Sequence, residues 1–203
     1  MALFREDAEI MGTHFTKKHV FSYVASTTIA LAGIAGLSGC AGSPEAGVSS
    51  SPGATVGMDA SWAEGYDNLR DLKAHSSIAV EGSFTRIIDE SSIKTVPITD
   101  FEFTVDKVLH DPPGSLKEGT RLTVRQTGGY VDGVLHQISD DPLFKISESA
   151  VLFLKEPEPG LFYVVGGPSG RFEVINGKVT PFDVQGTKVD GTLEDFAAAV
   201  KGS

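Results

Sequence analysis

The chain predicts a mainly β, α+β domain: a small antiparallel barrel or sandwich with short helices flanking it at the N- and C-terminal ends. Three observations carry this. Apolar and polar residues alternate in several runs between residues 78 and 125, the period of half-buried antiparallel strands. Asp132-Gly133 and Asn176-Gly177 each sit between two extended arms, where two-residue hairpin turns fall. The segments before and after the alternating region instead carry helical spacing and a capping signal.

Folding is expected to begin near Asp59, so that residues 59–203 form the domain. "DASWAEGYDNLRDLKAHS" places Trp62, Tyr66, Leu69 and Leu72 at spacings of four, three and three. That is one apolar stripe, and it predicts a short helix docked as a lid, with the lone tryptophan as core. In "SIAVEGSFTRII", Ile78, Val80, Gly82 and Phe84 share a face. In "TDFEFTVDKVLH", Phe101, Phe103 and Val105 oppose Asp100, Glu102, Thr104 and Asp106, and in "TRLTVRQT" Leu122 and Val124 alternate with Arg121, Thr123 and Arg125. If the last two strands pair, the acidic row meets the arginines. Such pairs add roughly 0.2–1 kcal/mol each and set register.

"YVDGVLHQI", "SAVLFLK", "LFYVVG" and "RFEVINGKVTPF" supply the remaining strands, about seven in all. "VLHDPPGSLKEGT" reads as a proline-fixed connection with Lys107, His110 and Lys117 as local basic relief. The chain ends in "GTLEDFAAAV", where Thr192 and Asp195 form an acidic capping box and Phe196 and Val200 give the last helix an inward face.

At 203 residues the chain holds one ordinary domain and something extra. Its formal charge is -10, and all of that lies from Cys40 onward, where 14 bases face 24 acids. So acidic a domain repels phosphate backbones, since nucleic-acid affinity rests on Lys and Arg releasing counterions; anionic membrane surfaces repel it too. The single cysteine rules out an internal disulfide.

Lys17 and Lys18 precede "VFSYVASTTIALAGIAGL", residues 20–37, which reads as the n- and h-regions of an export signal. Reaching roughly 18 residues requires counting two serines and two threonines, which is marginal for a ~30 Å bilayer core. Small residues, not a basic cluster, follow it. The acidic opening "MALFREDAEI" is foreign to an n-region, and a start at Met11 gives the more ordinary "MGTHFTKKH". "MGTHFT" also matches a myristoylation pattern, a reading that the export signal behind it opposes.

Leu37-Ser38-Gly39-Cys40 resembles the lipobox of bacterial lipoproteins: an aliphatic residue, two small ones, then cysteine. The resemblance implies cleavage between Gly39 and Cys40, a diacylglycerol thioether on the Cys40 sulfur, and acylation of the new amino terminus. The implied partners are the lipoprotein-processing enzymes and a lipid bilayer, with the domain facing outside the cytoplasm. Two or three acyl chains, at ~0.8 kcal/mol per buried methylene, anchor where one chain binds marginally. The alternative is a free thiol behind an uncleaved helix. Residues 40–58, small or polar with two prolines, read as a flexible tether. Ala41 supplies no inner-membrane retention signal of the Asp type.

The order "SIAVEGSFTRI … FTVDKVLH … LTVRQTGG … AVLFLKEPEPGLFYVV", residues 77–165, resembles the barrel core of netrin-type and metalloproteinase-inhibitor modules, which implies an OB-like fold. Those inhibitors rely on an N-terminal cysteine at the metal and a disulfide framework. Here the one cysteine is at the lipobox, so their activity is not implied.

Chemistry-bearing patterns are few. His75, His110 and His136 have no metal-ligand spacing and no thiolate to join them, so no metal or other cofactor is expected. "GGPSGRF" is not a nucleophile elbow; it reads as a tight strand connection using glycine for unusual backbone angles. It is also the candidate contact loop: Gly166, Gly167, Pro168, Ser169, Gly170 and Arg171. Asp140 and Asp141 before a proline read as a solvated turn, with calcium as the alternative. The expected function is therefore a non-catalytic binding domain on an envelope lipoprotein, contacting another envelope protein through loops on a rigid scaffold and no nucleic acid. A solute-binding lipoprotein is the alternative, and beyond it a hydrolase using Ser169, a histidine and an aspartate.

Overall fold

The computed structural model describes residues 53–60, 62, 64–189 and 191–203. The expected leader, the Gly39/Cys40 site and the tether up to residue 52 lie outside the described residues. Among them, the element order is β1 (Thr55–Met58), α1 (Leu69–Ala74), β2 (Ile78–Ile93), β3 (Val96–His110), β4 (Arg121–Val131), β5 (Val134–Ile138), β6 (Ser149–Glu158), β7 (Leu161–Val164), β8 (Arg171–Ile175), β9 (Lys178–Pro181), β10 (Gly191–Thr192) and α2 (Leu193–Gly202).

These strands form one mixed sheet, ordered β1-β5-β4-β3-β2-β6-β8-β9-β10, with β7 bridging β4 and β6. Pairing is antiparallel except between β1 and β5 and between β4 and β7. Through β7, the path β2–β3–β4–β7–β6 returns to β2. Only Thr123↔Leu161 and Val124↔Phe162 join β4 to β7, and the sheet continues to ends at β1 and β10. It is thus not a closed barrel but a β-rich mixed sheet with two short helices, α1 before β2 and α2 at the C-terminal end.

The apolar patterning explains the layers. In β6, Ala150, Leu152 and Leu154 enter a core inside the five-strand path, with Phe84, Phe101, Phe103 and Phe144. Val151 and Phe153 point to the other face, into a second core with Leu72, Phe172, Phe196 and Val200. A strand buried on both faces reads as an unbroken apolar run, which is what "AVLFL" is. Phe84 is the hub of the inner core: its ring stacks on Phe144 at 4.1 Å and meets Phe103 edge-on at 4.9 Å. Such pairs add ~0.5–1.5 kcal/mol beyond their area. Gly82 is required at a register shift in the β2–β3 pairing, since a Cβ there would lie 2.0 Å from the Thr104 carbonyl oxygen.

Both expected hairpin turns form. Asp132 and Gly133 have φ of 51° and 79°, and Asn176 and Gly177 have φ of 52° and 74°, the double left-handed signature of a type I′ turn. The capping box is also present: the Thr192 hydroxyl accepts from the Asp195 N–H, and the Asp195 carboxylate accepts from the Thr192 N–H. Phe196 and Val200 are fully buried.

Two expectations are corrected. The first helix does not include Trp62 or Tyr66; it begins only after Asn68, whose side chain accepts from the Asp71 N–H as N-cap. An N-cap needs extended backbone, and Asn68 has it, at φ -146° and ψ 153°. Trp62 and residues 64–68 have no helical geometry. Second, Thr55–Met58, assigned to the tether, forms β1 on β5. Four mostly exposed residues on a sheet edge leave almost no alternation to read.

Candidate functional site

The expected contact segment links β7 to β8. Gly166 and Gly167 adopt left-handed φ of 64° and 56°, and Gly167–Gly170 then makes one 3-10 turn with Pro168 in its first positions. Gly167 cannot carry a side chain: a Cβ would lie 2.2 Å from the Trp62 ring. Trp62 therefore seats on bare backbone, which is how it comes to rest beside a turn more than a hundred residues away.

The segment is not an exposed loop. Gly167 to Gly170 are buried, and Arg171 is only 2% exposed. Its guanidinium donates from Nη2 to Glu148 Oε1 at 2.7 Å and from Nη1 to Asp141 Oδ1 at 3.3 Å and to the Pro142 carbonyl at 2.9 Å. It also lies between two aromatic rings, 4.6 Å from the centre of Phe144 and 4.0 Å from that of Phe182. A planar, weakly hydrated guanidinium suits this sandwich where an ammonium would not. Nε is buried and has no hydrogen-bond partner among the described residues.

Asp141 is therefore no solvated turn residue. Burial pushes its carboxyl above the ordinary value, and the charge of Arg171 works against that rise. The segment around it is clamped by Gln126, whose amide nitrogen donates to the Asp141 and Pro142 carbonyls at 3.2 and 3.1 Å while its oxygen accepts from the Phe144 N–H at 2.9 Å. Nearby, Arg125 grips Asp100 with two bonds of 2.6 and 2.7 Å. This is the expected meeting of the acidic and arginine rows, since Asp100 and Arg125 are register partners.

Above this buried layer is a cleft of about 420 Å³, bounded by Trp62, Asp140, Ser169, Phe182 and Asp183. Trp62 Nε1 donates to Asp140 Oδ2 at 3.0 Å. Ser169 Oγ donates to Asp183 Oδ2 at 3.0 Å, and the Gln185 N–H donates to Asp183 Oδ1 at 2.8 Å. Both carboxylates thus face neutral donors, and among the described residues neither makes an ion pair with a lysine or arginine. Among the described residues no cationic side chain lines the cleft.

The three histidines are dispersed. His75 caps the end of α1, His110 ends β3 and His136 sits within β5. Among the described residues none is hydrogen-bonded to Ser169, whose hydroxyl proton goes to Asp183. No group of three metal-ligating side chains occurs among the described residues. Gly39 and Cys40 lie outside them. The sequence pointed to the turn from Gly166 to Arg171, but it read Trp62 as helical core and Asp141 as a solvated turn residue and did not single out Gln126 or Glu148, the four residues that build its surroundings. Comparison with known proteins returns no match: no family model, no curated protein and no solved structure is similar to this chain.

Proposed function

We propose that this chain is a lipid-anchored protein of the bacterial cell envelope, held outside the cytoplasm through an acylated Cys40. Its β-rich domain binds an envelope protein through the Trp62–Asp183 cleft. The observation that carries the reading is the pairing of a rigid floor with unneutralised charge. The cleft rests on the Arg171 layer and on the Gly167 seat of Trp62, and it presents Asp140 and Asp183 without a cation. A partner offering a lysine or arginine side chain supplies that charge, with aromatic rings beside it. Binding is favoured over hydrolysis because Ser169 donates to Asp183 and no histidine among the described residues is hydrogen-bonded to it, so the serine–histidine pairing of an activated nucleophile is not assembled at this turn.

The test is site-specific photocrosslinking in intact cells, with the reactive group at exposed Val184 on the cleft rim. One recurrent protein captured by the full chain, and lost in an Asp140→Asn, Asp183→Asn double variant, supports the cleft. Capture unchanged by that variant overturns it. Anchoring is read separately: metabolic labelling with an alkynyl fatty acid is expected for the wild type and abolished by Cys40→Ser.

A further inference from the structure

At the end of the sheet where the described chain begins, the ordinary inside–outside pattern is reversed. The β2–β3 turn carries Ile93 and Val96 as a register pair, and the β4–β5 turn is flanked by Tyr130 and Val131. All four are exposed, Ile93 at 51% and Tyr130 at 57%. Behind them a mostly apolar cleft of about 470 Å³ joins the two hairpins, bounded by Ile87, Phe101, Tyr130, Leu135 and Leu143. Scattered surface apolar residues need no explanation, but four beside two hairpin turns at one end of the sheet do.

The chain enters at this same end. The Leu135 N–H donates to the Ala54 carbonyl at 2.9 Å, and a Cβ on Gly53 would lie 3.4 Å from the Gly133 carbonyl oxygen. Thirteen positions separate Cys40 from Gly53, a reach of at most about 45 Å. We propose that this end of the sheet rests in the interface of the bilayer that holds Cys40, with Ile93, Val96, Tyr130 and Val131 at the headgroup–acyl boundary. The inference builds on the proposed acylation of Cys40.

Tyrosine is favoured at that depth because its ring is apolar and its hydroxyl stays wet. The tip's own charges offset one another, Lys94 in one turn and Asp132 in the other. Asp89 and Glu90 stand farther back on β2, where Glu90 and Lys145, of opposite charge, both line the cleft. The domain's acidity opposes an anionic surface, but that repulsion is screened beyond about 10 Å, while the anchor keeps the tip within reach of the bilayer. β5 leads from the tip at Val134 to Ile138, two residues before Asp140 of the partner-binding cleft, so this placement turns that cleft away from the membrane.

The test uses the full chain in phosphatidylcholine proteoliposomes with an environment-sensitive maleimide fluorophore on Val96→Cys, on Ile93→Cys, or on Val184→Cys as a reference. Cys40 is the one native cysteine, so wild type takes label only if its thiol is free. The expected result is an unlabelled wild type, blue-shifted emission at both tip positions, and roughly twofold quenching there by nitroxide lipids, as for a group about 5–10 Å deep, with no quenching at Val184. Tip labels unquenched on an unlabelled wild type overturn the inference and leave the anchor standing. Blue-shifted but unquenched tip labels mean burial against protein, a second copy or a partner, and also overturn it. A labelled wild type overturns the anchor and the inference together.

Discussion

Arg171 and Asp141, thirty residues apart, meet at 3.3 Å with the arginine 2% exposed. Together with Glu148, whose side chain is 14% exposed, they form a largely buried triad of two acids and one base, and the geometry explains why it holds. The arginine is the first residue of β8, paired to Leu152 of β6, so its side chain rises between Phe144 and Phe182 toward the segment that carries both acids. Removing one partner of a buried ion pair leaves uncompensated charge, which costs about 3–5 kcal/mol.

Arg171→Met is therefore expected to destabilise the domain by about 3–5 kcal/mol in urea unfolding. Adding Asp141→Asn to the same chain should recover part of the loss, because it removes one stranded charge. A loss under about 1 kcal/mol for Arg171→Met would show that the triad contributes little.

Glu102 gives a pH dependence of definite sign. Hydrogen bonds from Arg86 and then Thr85 hold its carboxyl down, from 4.5 to about 2. A depressed folded value means that its stabilisation is complete above about 4.5 and is lost as the pH falls toward 2. Asp141 is shifted the other way, so its contribution grows on acidification. Glu102→Gln is expected to flatten the fall of Tm between pH 4.5 and 2; an unchanged slope refutes the assignment.

Gly167→Ala should displace Trp62. The new methyl falls inside the indole, and the left-handed backbone adds about 1–2 kcal/mol of strain. Because the chain has one tryptophan, its fluorescence reports the change directly: a red shift with the far-UV circular dichroism retained. An emission maximum unmoved from wild type would mean that the ring does not sit on this turn.

Thr192→Ala removes the reciprocal cap of α2 and should cost about 0.5–2 kcal/mol. Thr192→Asp should restore most of it. Chemical denaturation of the three proteins decides the matter, and equal stability for all three would dismiss the cap.

What could be read from the sequence was local. Alternation in β2, β3 and β4, the two left-handed turns and the Thr192–Asp195 box are each settled by neighbours in the chain. The Asp100–Arg125 pair was legible too, because strand period and charge sign agree. The Arg171 triad was not. Its acids lie 30 and 23 positions earlier, and nothing in "GGPSGRF" marks an arginine for burial, because its partners are brought by β6–β8 pairing. Trp62 misled for a related reason. A spacing of four, three and three fits a helix, yet Gly65 and the Asn68 cap carried the better signal for a helix that starts late.

The double burial of β6 has a consequence for how the molecule comes apart. One strand contributes Leu152 to the inner core and Phe153 to the outer one, so neither can be dismantled while the other persists. The helix pair cannot peel off as a separate subunit of stability without exposing the back of a strand that the remaining sheet needs. Native-state hydrogen exchange should therefore find the Val151–Phe153 amides opening only with the whole domain. The domain is either assembled or lost as a single cooperative unit.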